Sequence, residues 1–246
     1  MTTQPEQVLE DNLVKQLVAI GYENVAVHDE SSLLDNLKAQ IEAHNNVQLS
    51  AGDFRQILNK LSKGSIFEKA KTLRDRIAYT NDKGETKTVE LIDQIDWCKN
   101  RFQVTQQVTV EGRFKNRYDV TILINGLPLI QIELKRRGLE LKEAFNQTNR
   151  YERHSYGAGD GLFQYIQLFV ISNGVNTKYY SNNRVSDRSF KQTFFWTDKQ
   201  NKPVTQLSAF AEVFLEKCHL AKMVTRFLVL NESKKMLMVL RPYQVY

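Results

Sequence analysis

Two short apolar segments joined by Asn125-Gly126 constrain the fold of this 246-residue chain more than any other feature. Residues 118–124 are rich in β-branched side chains, and residues 129–134 form a second apolar run. Asn-Gly between two such runs is the strongest short-range signal for a hairpin, because both residues tolerate the positive φ angles of a tight turn. The sequence therefore predicts an antiparallel β-hairpin over residues 118–135.

Helical and β-prone segments surround this hairpin. Three helices are predicted in the first third, over residues 8–20 with Gly21 as the C-terminal cap, residues 31–41, and residues 54–61 with Asp53 as the N-cap. Further predicted elements follow the same criteria: residues 65–77 are helical or irregular, 102–110, 163–171, 177–180 and 193–196 are β-prone, and 138–156 and 207–230 are helical. This order predicts an α/β fold with a mixed central sheet flanked by helices, a helical N-terminal part and a helical C-terminal linker.

Composition excludes several classes of protein. A hydrophobic share of 41% and a charged share of 25% are those of an ordinary soluble domain, and no apolar stretch is long enough to span a bilayer. Because the first residues lack the pattern of a signal peptide, we expect a cytoplasmic protein without a membrane partner. Cys98 and Cys218 have neither zinc-ligand nor disulfide-framework spacing, so two reduced thiols are expected.

Three charged residues mark one end of the predicted hairpin. Asp119 and Glu133 are equally far from Gly126 along the chain, which places them opposite each other if the hairpin turns there. Lys135 follows Glu133 by two residues and therefore lies on the same face of the strand. The alternative, a solvated rim of charges at a strand end, is less favoured because Glu133 follows an apolar strand.

This grouping is suited to phosphodiester hydrolysis. Mg²⁺ binds through one or two carboxylates, so Asp119 and Glu133 are the candidate metal ligands. The metal stabilises negative charge on a phosphoryl oxygen and lowers the pKa of a bound water. A lysine beside it can orient the attacking water or neutralise charge on the phosphate. The three side chains are therefore the candidate catalytic group.

The spacing from Asp119 to Glu133 and Lys135 resembles the PD-(D/E)xK nuclease motif, although Tyr118 stands where the motif has proline. Gln147 and Tyr151, one helical turn apart, resemble the QxxxY motif of the RecB-like branch. In that family this helix face borders the active site and the nucleic-acid backbone. The resemblance implies a restriction-endonuclease-like core in which Gln147 and Tyr151 support catalysis.

A narrower resemblance covers most of the chain, to the nuclease domain at the N-terminus of the R subunit of type I restriction endonucleases. It rests on the opening helix followed by Gly21 and Tyr22, and on residues 170–174, 177–180 and 194–196. It implies that an acid of the opening helix completes the metal site, with Glu10 as the candidate and Glu6 as the alternate. It further implies a Mg²⁺-dependent DNA endonuclease that hydrolyses phosphodiesters through metal-activated water. Double-stranded DNA and the methyltransferase and specificity subunits are the implied partners.

The final residues resemble the start of a helicase motor. Arg241-Pro-Tyr-Gln244 is similar to the motif whose glutamine, here Gln244, reads adenine, yet no phosphate-binding loop motif is present in the sequence. We therefore expect a nuclease domain over residues 1–230, and over residues 231–246 a linker and the start of a motor that this fragment lacks. ATP would then serve the full-length protein only.

Basic residues near the motif are candidate DNA contacts, namely Arg113, Arg117, Arg136 and Arg150. Two alternative functions stay open at this point. The first is a module of the same fold that docks a motor without cutting DNA. The second is a repair or recombination nuclease of the RecB type.

Overall fold

The computed structural model describes residues 5–111, 115–151 and 161–246 of the chain. The helices of this part are α1 Glu6–Ala19, α2 Glu30–Asn45, α3 Ala51–Leu61, α4 Ile66–Thr72, α5 Leu141–Tyr151, α6 Leu207–Phe214 and α7 Lys217–Thr225. Its strands are β1 Glu23–Asn24, β2 Arg76–Thr80, β3 Thr86–Glu90, β4 Phe102–Glu111, β5 Lys115–Ile124, β6 Leu127–Leu134, β7 Leu168–Ser172, β8 Thr177–Ser181, β9 Trp196–Thr197, β10 Pro203–Val204, β11 Leu228–Asn231 and β12 Met236–Val239.

A mixed six-stranded sheet forms the centre, in the order β1-β4-β5-β6-β7-β8. The pairs β1–β4 and β6–β7 are parallel, and the other neighbours are antiparallel. All eight residues of β6 are buried, which explains why its sequence reads as a nearly continuous apolar run. The prediction of an α/β fold with a mixed central sheet is confirmed.

The hairpin turns at Asn125 and Gly126, whose φ angles of 49° and 83° are both positive, as a tight two-residue turn requires. Ile124 pairs with Leu127, but beyond Leu123 the register shifts because Leu129 is an extra residue in β6. After this bulge Val120 pairs with Ile132. The next positions outward along the two strands are Asp119 and Glu133, so the predicted juxtaposition depends on the bulge.

Buried hydrogen bonds fix the turn to its surroundings. The Asn125 side chain donates to the carbonyl of Leu91 at 3.0 Å and to Oδ1 of Asn100 at 2.8 Å, and its Oδ1 accepts from the backbone N–H of Arg101 at 2.8 Å. The close approach of α2 leaves no room for a side chain at Gly126, since a Cβ there would lie 2.8 Å from Cα of Leu37. The turn therefore cannot move without disturbing α2 and the segment before β4.

The helix ends follow local rules, with one correction. Gly21 has a φ of 98°, as expected for the residue that ends α1. The prediction of Asp53 as the N-cap of α3 is wrong. Ser50 is the N-cap, and its Oγ accepts from the backbone N–H of Asp53 at 3.2 Å while the Asp53 carboxylate accepts from the N–H of Ser50 at 3.0 Å. Asp53 thus completes a reciprocal capping box three residues inside.

Three segments differ from their predicted secondary structure. The antiparallel hairpin β2–β3 was not predicted, and residues 162–165 form a short 3-10 turn ahead of β7 instead of strand. Residues 207–230 divide into α6, α7 and the first strand of the β11–β12 hairpin. The prediction of a helical C-terminal linker is therefore wrong beyond Thr225. The predicted boundary after residue 230 falls within β11, and the division into two units remains a prediction.

The expectation of two reduced thiols is also wrong for this structure, in which Cys98 and Cys218 form a disulfide with Cα atoms 4.9 Å apart. They meet because α7 packs on the turn that contains Trp97. The indole N–H donates to Oγ1 of Thr225 at 3.1 Å, and the ammonium of Lys222 lies 4.8 Å from the centre of the indole. A separation of 120 residues gave no sign of this contact in the sequence.

Within the described ranges, none of the helices combines the length and the apolar character needed to cross a bilayer.

His219 on α7 makes the stability of the fold depend on pH. Its ring packs against Trp196 and Phe214, with centroids 5.0 and 5.7 Å away, and its Nε2 makes no hydrogen bond within the described part of the chain. Burial lowers the pKa of His219 to about 4, so the unfolded chain binds the proton more tightly than the folded one. The stability that this group contributes is complete above its unfolded pKa of about 6.5 and is lost as the pH falls toward 4.

We expect the free energy of unfolding to decrease by roughly 3 kcal/mol from this group between pH 7 and pH 4. His219→Phe should remove that part of the pH dependence, whereas replacement of the exposed His28 by Asn should leave it in place. Urea denaturation of the three proteins across this range measures the difference. Parallel pH profiles for wild type and His219→Phe would contradict the assignment.

Candidate active site

The three residues of the predicted motif are Asp119, midway along β5, Glu133, near the outer end of β6, and Lys135, one residue beyond β6. Asp119 and Lys135 are 7% and 9% exposed, and Glu133 is fully buried, so none of them belongs to a solvated rim. The pairing of β6 with both β5 and β7 produces this burial. The hydrogen bonding of β6 to β7 continues one residue beyond β6, where the backbone N–H of Lys135 donates to the carbonyl of Ser172 at 2.8 Å.

The Asp119 carboxylate is held across the two strands. Its Oδ2 accepts from the backbone N–H of Leu134 at 2.7 Å. Burial raises the pKa of Asp119 to about 6, and this increase is opposed by that hydrogen bond and by the charge of Lys135. A buried carboxylate with a raised pKa near a second buried carboxylate is typical of a functional site.

The ammonium of Lys135 lies among oxygen atoms of the site. Its Nζ is 3.5 Å from Oε1 of Glu133, 3.0 Å from the carbonyl oxygen of Leu134 and 3.6 Å from Oε2 of Glu6. The lysine is therefore positioned next to the acidic pair, with its charge directed into the same region. This position fits a role in orienting a water or a phosphate.

Glu6 and Glu10 of α1 both lie beside this site, through different contacts. Oε1 of Glu6 accepts from the backbone N–H of Arg136 at 3.2 Å. Glu10 is buried, and its Oε2 accepts from Nε2 of Gln107 at 3.1 Å. Burial raises the pKa of Glu10, and the charges of Glu10 and Glu6 both raise the pKa of Asp119. The two acids therefore belong to one electrostatic group with Asp119.

Gln107 was not identified from the sequence. It interrupts the regular pairing of β4 with β5 opposite Asp119, with a left-handed φ of 58°. This conformation is uncommon for a residue other than glycine. A polar residue in an otherwise alternating strand gave no signal that it would contact Glu10.

Helix α5 positions the predicted supporting residues, and it packs on β6 and β7. Gln147 is half-buried on this helix, and Tyr151 is its last residue, whose side chain lies outside the described residues. Their supporting roles remain predictions.

The predicted DNA contacts and the predicted adenine contact lie on the surface where the structure describes them. Arg117, Arg136 and Arg150 are exposed, whereas Arg113 lies outside the described residues. Gln244 is exposed in a short turn, where its Oε1 accepts from the backbone N–H of Arg241 at 2.9 Å. This hydrogen bond gives the Gln244 side chain a partner within its own turn. The role of Gln244 in nucleotide binding remains a prediction.

The donor set of the site fits a magnesium ion. Carboxylate oxygens of Asp119 and Glu133 are hard ligands, and Mg²⁺ requires only one or two of them because it keeps several waters. The part of the chain that the structure describes contains no group of three or more His, Cys, Asp or Glu side chains arranged to hold a metal. The site thus offers two carboxylates, which is the number of protein ligands that Mg²⁺ requires.

An acid on one strand, with an acid and a lysine on the adjacent strand, is the arrangement that the resemblance to PD-(D/E)xK nucleases predicts. The comparison with known families identifies the family to which the chain belongs. Residues 3–188 match the model of the type I restriction enzyme R protein N terminus. The chain belongs to this family.

Several curated relatives are type I restriction enzyme endonuclease subunits. The SauMSSORF170P subunit of Staphylococcus aureus is 46% identical over 251 residues, and the SsaAORF53P subunit of Staphylococcus saprophyticus is 45% identical over 252 residues. Both alignments include 100% of this chain but 27% of the relative, so the chain spans about a quarter of their length. The EcoprrI subunit of Escherichia coli is 38% identical over 250 residues, which are 98% of this chain and 79% of that subunit.

Proposed function

We propose that this chain is the Mg²⁺-dependent DNA endonuclease domain of a type I restriction enzyme. The observation that carries the proposal is the buried acidic pair, Asp119 and Glu133, with the Lys135 ammonium 3.5 Å from the Glu133 carboxylate. Membership of the R protein family supports a nuclease over the docking module and over a RecB-type repair enzyme.

The proposal assigns a role to each residue of the site. Asp119 and Glu133 hold Mg²⁺, which supplies stabilisation of phosphoryl charge and a more acidic water when it is bound. The N–H of Leu134 orients the Asp119 carboxylate through their 2.7 Å hydrogen bond. Lys135 orients the attacking water or balances charge on the scissile phosphate. Glu10 and Glu6 add negative charge that favours cation binding, with Glu10 fixed by Gln107.

The wider assembly is also part of the proposal. The exposed Arg117, Arg136 and Arg150 contact the backbone of double-stranded DNA, for which arginine at the surface is suited. Cleavage is coupled to an ATP-driven translocase motor, and the methyltransferase and specificity subunits supply target recognition in the cytoplasm. The relatives are named as subunits of type I enzymes, which supports a multi-subunit complex.

Calorimetry with Mg²⁺ tests the site on this chain. We expect a heat of binding for the wild type that is absent from the double variant Asp119→Ala with Glu133→Ala, because the ligands are then removed. Circular dichroism checks that both proteins are folded. Equal heats for both proteins would locate the metal elsewhere and refute the assignment. If neither protein gives a heat, the titration is repeated with duplex DNA, and a persistent absence favours the docking module.

A further inference from the structure

A cavity of about 670 Å³ lies beside the acidic site and has no role in the mechanism above. It is bounded by the start of α5 and by the loops near β8. Its chemistry is mixed, because two aromatic rings and three cations line it together with one carboxylate. These side chains are Phe190, Phe195, Arg137, Lys142, Lys178 and Glu140.

The sheet register relates this cavity to the acidic pair. Glu133 pairs with Ile171 of β7, and Ile171 pairs with Lys178 of β8. Residues in register on neighbouring strands face the same side of a sheet, so Lys178 lies on the face of Glu133, two strands away. Since adjacent strands are about 4.8 Å apart, the two backbones are about 10 Å apart.

Lys178 is held in the cavity by aromatic rings. Its Nζ lies 5.1 Å from the ring centre of Phe190 and 4.8 Å from that of Phe195, and 3.4 Å from Oγ1 of Thr193. None of the ion pairs found among the described residues includes Lys178, and burial lowers the pKa of its ammonium. The cavity thus presents a positive charge that is not neutralised, next to two aromatic rings.

We propose that this cavity binds an unpaired nucleotide of the DNA strand adjacent to the site of cleavage. Its base stacks on the Phe195 and Phe190 rings and its phosphate pairs with Lys178, while Arg137 and Lys142 contact flanking phosphates. Aromatic rings within a basic groove are the usual means of binding single strands. A base within a duplex has no free face for such a ring, so the inference, which rests on the proposed action on DNA, specifies an unpaired substrate segment.

The test is binding of a fluorescein-labelled oligothymidylate to this 246-residue chain, measured by fluorescence anisotropy without Mg²⁺. Lys178→Gln and Phe195→Leu should each weaken binding about tenfold. Lys178→Gln should also reduce the slope of log affinity against log salt by about 0.7, whereas Phe195→Leu should leave the slope unchanged. Lys83→Gln, which removes an exposed charge in the β2–β3 turn, is the matched control and should bind as the wild type does.

The proposal would be overturned if the wild type did not bind the oligonucleotide, if affinity were unchanged in both cavity variants, or if duplex binding were weakened equally. Competition by thymidine monophosphate as strong as that of the oligonucleotide would instead assign the cavity to a free nucleotide and also overturn it. Mg²⁺ calorimetry on the same proteins tests the proposed metal site separately from the proposed nucleotide-binding cavity. A heat that is missing in the wild type both without and with duplex DNA refutes the metal site, while unchanged oligonucleotide binding in the cavity variants beside an intact heat refutes the cavity alone.

Discussion

Asp119→Asn, Glu133→Gln and Lys135→Ala should each reduce DNA cleavage about a hundred- to a thousandfold while the protein stays folded. The first two changes keep the shape of the side chain but remove the negative charge that would hold the cation. The third removes the ammonium beside Glu133. The measurement is the rate of cleavage of supercoiled plasmid by a type I restriction complex that carries this chain as its nuclease domain.

Matched changes elsewhere on the chain provide the controls. Glu212→Gln on α6 and Lys199→Ala remove the same charges from exposed positions and should leave the rate unchanged. Wild-type cleavage in any one of the three site variants would remove that residue from the catalytic group. Wild-type cleavage in all three would refute the nuclease assignment of this site.

Gly126→Ala should lower the free energy of unfolding by about 3 kcal/mol. The φ of 83° costs an alanine about 1–2 kcal/mol, and the new Cβ would lie 2.8 Å from the backbone of α2, which cannot move aside as a flexible side chain can. Urea denaturation gives the difference in stability from the wild type.

The variant Gly84→Ala distinguishes the cost of backbone strain from the cost of the clash with α2. Gly84 has a φ of 78° in the β2–β3 turn, and a Cβ there would meet nothing within 4 Å. Its substitution should therefore cost only the backbone strain, about 1–2 kcal/mol. Equal losses of stability in the two variants would show that contact with α2 does not hold the hairpin turn in place.

The sequence was sufficient to predict the class of fold and to place Asp119 and Glu133 at neighbouring positions of two strands, but the reason given for that alignment was incomplete. A two-residue turn alone would bring Asp119 opposite Ile132 and leave Glu133 on the other face. The extra residue Leu129 restores the predicted alignment. Pro128 just before it, the second residue of a buried strand, was the available signal, since proline in such a strand marks an edge or a bulge.

Other features depended on contacts between distant segments and could not be predicted. Glu6 and Glu10 lie one turn apart on the same helix face, so periodicity cannot distinguish them, and only the packing of α1 assigns Glu6 to Lys135 and Glu10 to Gln107. The β2–β3 hairpin was missed because β3 is mostly exposed and has a polar sequence. Asp53 resembles an N-cap in isolation, but Ser50 three residues earlier competes for that position.

The complete burial of Glu133 in a strand covered on both sides has an evolutionary consequence. Leucine or isoleucine at this position would bury more apolar surface and avoid placing a charge away from water, so selection for folding alone disfavours the carboxylate. Under the proposed function, a gene released from the requirement to cut DNA is therefore free to lose Glu133 and become more stable by doing so. Degenerate copies of this domain should keep the sheet and lose the acid, and their thermal stability should exceed that of active copies.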